Sequence, residues 1–162
     1  MARIGGELVI NRPVEEVFDF VADERNEPRY NPRIRRAEKL SPGPIGRGTR
    51  FRAEAGTLRR TVGIAMEYTA YEPPRRLASS IRMSSADIRG TLRFDPVPGG
   101  TRMGWSWELR LRGPYKLLAP IIIPVGRRQE RANWAGLKRF LEGQGAGSQT
   151  VRNRRDPRMP QR

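Results

Sequence analysis

The stretch PYKLLAPIIIPVGRRQERANWAGLKRFLE, residues 114–142, is the longest in the chain with helical periodicity, and what precedes it reads as a sheet built to hold it. Pro114 suits a first helical position, where a missing N–H costs nothing. Pro120 and Pro124 each remove a backbone donor and crowd the preceding turn. The first half is therefore expected to be irregular or kinked, with the continuous helix beginning near Pro124. From there Asn133, Gly136, Leu137, Phe140 and Leu141 share one face at three- and four-residue spacing, with Arg127, Arg128, Arg131, Lys138 and Arg139 largely elsewhere. Gly143, followed by Gly145 and Gly147, is expected to end the helix. Such a stripe faces a core, and a function for it requires a cavity beneath.

Upstream, residues 3–11 alternate as a first strand stopped by Arg12-Pro13. Pro13 opens a helix whose apolar face is Val14, Val17, Phe18 and Val21, with Glu15, Glu16 and Asp19 near the positive end of the helix dipole. A short helix or turn follows over residues 26–31. From Ile34 the pattern becomes strand after strand, separated by Gly- and Pro-rich turns. A turn at Gly56-Thr57 pairs Phe51 with Val62. One over residues 72–75 pairs Tyr68 with Ser79, Met66 with Ile81 and Ala70 with Leu77. One over 84–87 pairs Ile81 with Gly90 and Ser79 with Leu92, and one over 96–101 pairs Leu92 with Trp105 and Gly90 with Trp107. All of these residues share one face, and no charge falls in its middle. The other face carries Arg82, Asp87, Arg89, Arg93, Asp95, Arg102, Glu108 and Arg110, a solvated surface with cross-strand pairs such as Glu54 with Arg59. The sum is an α+β fold. One strand, two short helices and about six further antiparallel strands make a curved sheet of about seven strands around a long C-terminal helix.

The 162 residues suit one domain, here 1–145, followed by a basic tail over 146–162 that is too poor in apolar residues to pack and is expected to be disordered. The formal charge of +15 directs attention to nucleic acid or an anionic membrane surface. The basic residues are nearly all arginine, however, and are spread along the chain rather than clustered outside the tail. With no cysteine there is neither a disulfide framework nor a thiolate nucleophile, and the amino terminus has no charged-then-apolar leader. The expected location is the cytoplasm. Residues 117–125, the longest apolar run, are far short of the roughly 20 residues that span a bilayer.

Three segments carry a resemblance to a known family. INRPVEEVFDFVADERNEPRYNP (residues 10–32) is similar to the opening strand and helix pair of the START and Bet v 1-like superfamily, SRPBCC, particularly its polyketide cyclase/dehydrase-like branch. Gly46-Arg47-Gly48-Thr49 resembles the Gly-x-Gly lead into that family's third strand, and GLKRFLE (136–142) the end of its terminal helix. The likeness spans residues 3–142 and implies a helix-grip fold. Its members include lipid carriers, receptors, quinone-binding proteins and cyclases, so fold alone names no function.

The resemblance places a ligand between the inner sheet face and the terminal helix. The strand register then nominates Phe51, Met66, Tyr68, Ser79, Ile81, Gly90, Leu92, Trp105 and Trp107 as its wall, with Leu137 from the helix. Gly90 leaves room for a ligand or for the neighbouring indole. Tyr68 and Ser79 are the hydroxyls in an otherwise apolar wall, available to each other, to backbone or to a ligand oxygen. Catalysis has less support. There is no histidine, no carboxylate falls on the inner sheet face, and Tyr68 would need a cation such as Arg60 to act as an acid. Neither a metal site nor a cofactor is indicated, since His and Cys are absent and no phosphate-binding glycine motif occurs. Three readings follow. The first is a carrier or sensor of a small hydrophobic or aromatic molecule such as a lipid, polyketide or isoprenoid quinone. The second is a cyclase/dehydrase-type enzyme. The third is an RNA- or anionic-membrane-binding protein acting through its arginines. The oligomeric state is left open.

Overall fold

Seven strands hydrogen-bond into one antiparallel sheet: β1 (Ala2–Ile10), β2 (Ile34–Lys39), β3 (Arg50–Thr57), β4 (Arg60–Glu72), β5 (Arg76–Arg82), β6 (Ala86–Val97) and β7 (Gly100–Leu111). Their order is β1-β7-β6-β5-β4-β3-β2, so each strand from β3 onward pairs with its predecessor and β1 closes against β7. In this computed structural model the described residues are 1–57 and 59–153, with side chains described for 1–56 and 59–144. The basic tail expected from residue 146 lies, in its side chains and from residue 154 in its backbone, outside the described residues.

Helix α1 (Val14–Ala22) and a 3₁₀ helix (Glu24–Arg29) cross between β1 and β2, and a second 3₁₀ helix (Gly113–Leu118) leads into the long α2 (Ala119–Asn153). The face of α1 read from spacing is the buried one, with Val17 and Phe18 fully enclosed. Phe18 packs edge-on against Phe94 of β6, with ring centres 5.3 Å apart. The far end of α2 is tied to β1. Lys138 donates to the Val9 carbonyl at 2.6 Å, and the Asn11 N–H donates to Glu142 at 2.9 Å. The sheet, curved around the core formed with α1 and α2, grips the helix.

Several expectations need correction. Helix α2 starts at Ala119 rather than Pro124, and the irregular part is confined to the 3₁₀ turn before it. Pro124 sits in the second turn, where its missing N–H leaves the Pro120 carbonyl without an intrahelical donor. Gly143 does not stop the helix either. Its φ is not positive, and glycine ends a helix only where the chain adopts the left-handed conformation.

The β3–β4 hairpin pairs Phe51 with Met66 and Ala55 with Val62, four residues beyond the expected register. The β5–β6 hairpin is two residues tighter, pairing Ser79 with Gly90 and Ile81 with Ile88. Both shifts are even, so every side chain keeps its face. A bulge after Tyr68 sets Tyr71, rather than Ala70, opposite Leu77. On the outer face Arg3 pairs with Glu108 and Arg112 with Asp87, while Glu54 stands opposite Gly63 and not beside Arg59.

Candidate functional site

Between the inner sheet face and α2 lies a cavity of about 700 Å³. Phe51, Met66, Tyr68, Ser79, Ile81, Leu92 and Trp107, all nominated from the register, line it. The other nominees are elsewhere. Gly90 is covered, since a Cβ there would stand 1.5 Å from Cε3 of Trp107, so the space it leaves belongs to the indole. Trp105 packs against Trp134 with ring centres 6.0 Å apart, and its Nε1 is buried without a partner among the described residues. Leu137 is fully enclosed in the core. Arg60 sits exposed at the start of β4, eight residues along that strand from Tyr68, a separation of roughly 26 Å at the ordinary strand rise. It cannot serve as the cation for Tyr68.

The expectation of no carboxylate concerns the inner sheet face alone, and the helices bring carboxylates into the cavity. Glu24, Glu27 and Glu130 all line it. Glu24 and Glu27 come from the 3₁₀ helix, where three residues per turn set positions i and i+3 one above the other, and each carboxyl acts on the acidity of the other. Glu130 comes from α2 and accepts from the indole nitrogens of Trp107 at 2.9 Å and Trp134 at 3.0 Å, both on Oε2. The apolar stripe read from Asn133 onward continues backward through Glu130 to Gly126 at the same spacing, and that continuation was the available signal. Six residues of 3₁₀ helix offer no such period, so Glu24 and Glu27 had none. Tyr30, Asn31, Arg33, Asn133 and Trp134 complete the polar end.

The surface these carboxyls retain faces the cavity rather than bulk water, so desolvation governs them. Burial, reinforced by the charge of Glu27, holds Glu24 well above the usual carboxyl range. Glu27 is raised by burial and by Glu130, against the pull of the Asn31 amide, which donates to it at 2.9 Å. Glu130 is raised by burial, against the two indole donors. The Tyr68 hydroxyl lies 2.8 Å from the Ala22 carbonyl and 3.0 Å from Glu24 Oε1. Tyr68 has one proton for two acceptors. Whichever acceptor takes it, the bond to Glu24 favours the carboxylate there and opposes the burial that raises it. Burial and Glu24 also push the Tyr68 hydroxyl well above its ordinary range, which keeps it protonated.

The arrangement can therefore enclose an apolar body, hydrogen-bond a polar group at one end and exchange a proton there. Among the described residues no set of three or more His, Cys, Asp or Glu is placed to hold a metal ion. A shallower depression of about 350 Å³ on the outer face, lined in part by Arg52, Arg82 and Arg112, shares none of this chemistry.

Comparison with known proteins agrees with this architecture. Residues 1–142 match the profile of a family described as polyketide cyclase / dehydrase and lipid transport. An uncharacterised protein of Mycobacterium tuberculosis is 27% identical over 139 residues, covering 83% of this chain and 81% of the relative. Among solved structures, a protein of Thermus thermophilus superposes with a TM-score of 0.75 at 19% identity, over 88% of this chain and 98% of that one. The Zhui aromatase/cyclase from a Streptomyces species does so with a TM-score of 0.72 at 13% identity, over 85% and 91%. The structural likenesses are of fold, while the profile spans most of the chain. On these grounds the chain belongs to the polyketide cyclase / dehydrase and lipid transport family, with the helix-grip fold of the START and Bet v 1-like (SRPBCC) proteins.

Proposed function

We propose that this protein binds a small hydrophobic or aromatic molecule, of the lipid, polyketide or isoprenoid quinone kind, and carries or senses it. The observation that carries the reading is the cavity of about 700 Å³, apolar along the sheet and polar where the 3₁₀ helix meets α2. A mostly apolar enclosure with a few convergent polar groups suits a ligand that is apolar along its body and polar at one end. Native mass spectrometry of gently purified protein, followed by extraction, should find a stoichiometric apolar passenger. Ile81→Trp, which grows an indole into the cavity from the sheet, should lose that passenger and keep the fold. Retention of the passenger by this variant would remove the cavity from consideration.

One observation favours a second reading, cyclase/dehydrase-type catalysis. Glu24, which burial and the charge of Glu27 hold well above the usual carboxyl range, is a carboxyl placed to protonate a bound carbonyl oxygen at the polar end of the cavity. In that reading Glu24→Gln lowers turnover of a bound poly-β-ketone by at least about a hundredfold, the usual contribution of a positioned acid or base. Unchanged turnover leaves carriage alone standing.

A further inference from the structure

We propose that the mouth of the cavity docks on an anionic lipid bilayer, with Leu117, Leu118, Ile121 and Val125 entering the interface and the neighbouring cations resting on its headgroups. This goes beyond the ligand-binding reading, and its test uses vesicles with no ligand, so the two stand or fall separately. Exposure is the first observation. Among the described residues the exposed large hydrophobics are Met1, Val9, Leu40 and these four, which cluster in residues 117–125 where the second 3₁₀ helix runs into α2. Leu117 is 85% exposed and Ile121 65%. Ile121 and Val125 also line the cavity, as do Tyr115 and Ile122 beside them. A side chain that lines a cavity and stands exposed lies at its opening, so the apolar lining continues outward onto the surface. Apolar side chains gathered in this way mark a surface that a partner or a membrane covers.

Charge selects the cover. Residues 109–129 carry Arg110, Arg112, Lys116, Arg127 and Arg128, all exposed, and no Asp or Glu. Arg112 pairs with Asp87, and Arg127 donates to the Arg3 carbonyl at 3.3 Å. Lys116 and Arg128 form no ion pair among the described residues. Aliphatic side chains bordered by cations suit the headgroup region of an anionic membrane. RNA would meet the cations but leave the aliphatic groups in water, and single strands are held by stacking on aromatic rings, whereas this rim is aliphatic apart from Tyr115. A second copy docked on the same patch about a two-fold axis would set these cations against each other. The run of residues 117–125 is far shorter than a bilayer is thick, so it enters the interface and does not cross. An apolar ligand concentrated in the bilayer then reaches the cavity without passing through water.

The test is cosedimentation with vesicles of phosphatidylcholine, alone or mixed equally with phosphatidylglycerol, at physiological salt. The protein should bind the mixed vesicles at least about tenfold more tightly than the neutral ones. A protein of net charge +15 is drawn to anions in any case, so the deciding variants separate the mouth from the overall field. Leu117→Ser with Leu118→Ser keeps the charge and touches no residue that lines the cavity. It should weaken binding to the mixed vesicles by at least about tenfold, the lost transfer of two leucine side chains. Lys116→Gln with Arg128→Gln should weaken it by about twentyfold, at about fivefold per cation. Arg89→Gln with Arg93→Gln removes the same charge from the outer sheet face and should change it by less than about threefold. Full binding by the leucine variant, or equal losses in the two charge variants, overturns the proposal in favour of unspecific attraction. Failure of the protein to sediment with the mixed vesicles overturns it too, and a dimer in analytical ultracentrifugation that the leucine variant dissociates would then assign the patch to a second copy. A passenger retained in the cavity in any of these cases leaves the ligand-binding reading standing.

Discussion

The Cβ that Gly90 lacks would stand 1.8 Å from Cζ3 of Trp107 and closer still to Cε3, so the indole lies flat on the backbone of β6. That position brings its Nε1 within 2.9 Å of Glu130. A methyl at residue 90 must lift the ring and break the bond. Gly90→Ala should therefore cost about 1–3 kcal/mol, the usual penalty of overpacking, and change the intrinsic tryptophan emission. An unchanged melting midpoint would contradict this account of the glycine. The same device recurs on the other side of β7, where Gly6 underlies Trp105 with 2.5 Å from its missing Cβ to Cζ2. The Gly90–Trp107 pairing was legible from strand register, but whether the gap admitted a ligand or the indole was not. The two need similar space, and only side-chain rotamers distinguish them.

Among the elements, α2 departs most from its local signals. Pro124 is an interior residue of a helix that begins at Ala119, and it leaves the Pro120 carbonyl without an intrahelical donor. Pro124→Ala restores that bond and should stabilise the protein by up to about 3 kcal/mol, read as a higher thermal midpoint. A lower midpoint would mean that the proline ring's own contacts outweigh the lost bond. Packing explains why the helix persists. Leu137 and Leu141 are fully enclosed, and Gly136 lies so close to the Tyr30 carbonyl that a Cβ would come within 2.7 Å of the oxygen. Propensity predicts a late start and an early stop for this helix, and docking onto the sheet and the 3₁₀ segment overrides both.

Across the whole molecule, charge is divided between outside and inside. Arg89, Arg93 and Arg102 are exposed on the outer sheet face, while Glu24, Glu27 and Glu130 surround the cavity. This division has a pH consequence. Glu24 binds its proton more tightly folded than unfolded, so its stabilising contribution is complete below the ordinary value of 4.5 and is lost as pH rises through the raised one. Asp23 and Glu142 act in the opposite sense. Arg25 depresses the first, and Lys138 with the Asn11 N–H the second, so their contributions are lost only as pH falls below the ordinary range. As pH rises above the ordinary carboxyl value of 4.5 the ligand-free protein should therefore lose stability, and Glu24→Gln should lessen that slope. Parallel melting profiles for the two proteins would show that Glu24 is ionised at no cost.

The architecture and the inner sheet face were legible in the sequence because alternation is set residue by residue in the backbone. An error of two or four residues in a hairpin still leaves Phe51, Met66, Tyr68 and Ile81 on the same side. The polar end of the cavity was not legible. Glu24 and Glu27 are more than a hundred positions from Glu130, and they share one low-dielectric space only because α2 docks against the 3₁₀ helix across the open side of the sheet. Composition, with its net charge of +15, even carried the wrong sign for that interior. Local pattern determines which face of an element is apolar, whereas the meeting of groups from distant elements, and the desolvation that alters their acidity, exists only in the assembled tertiary structure.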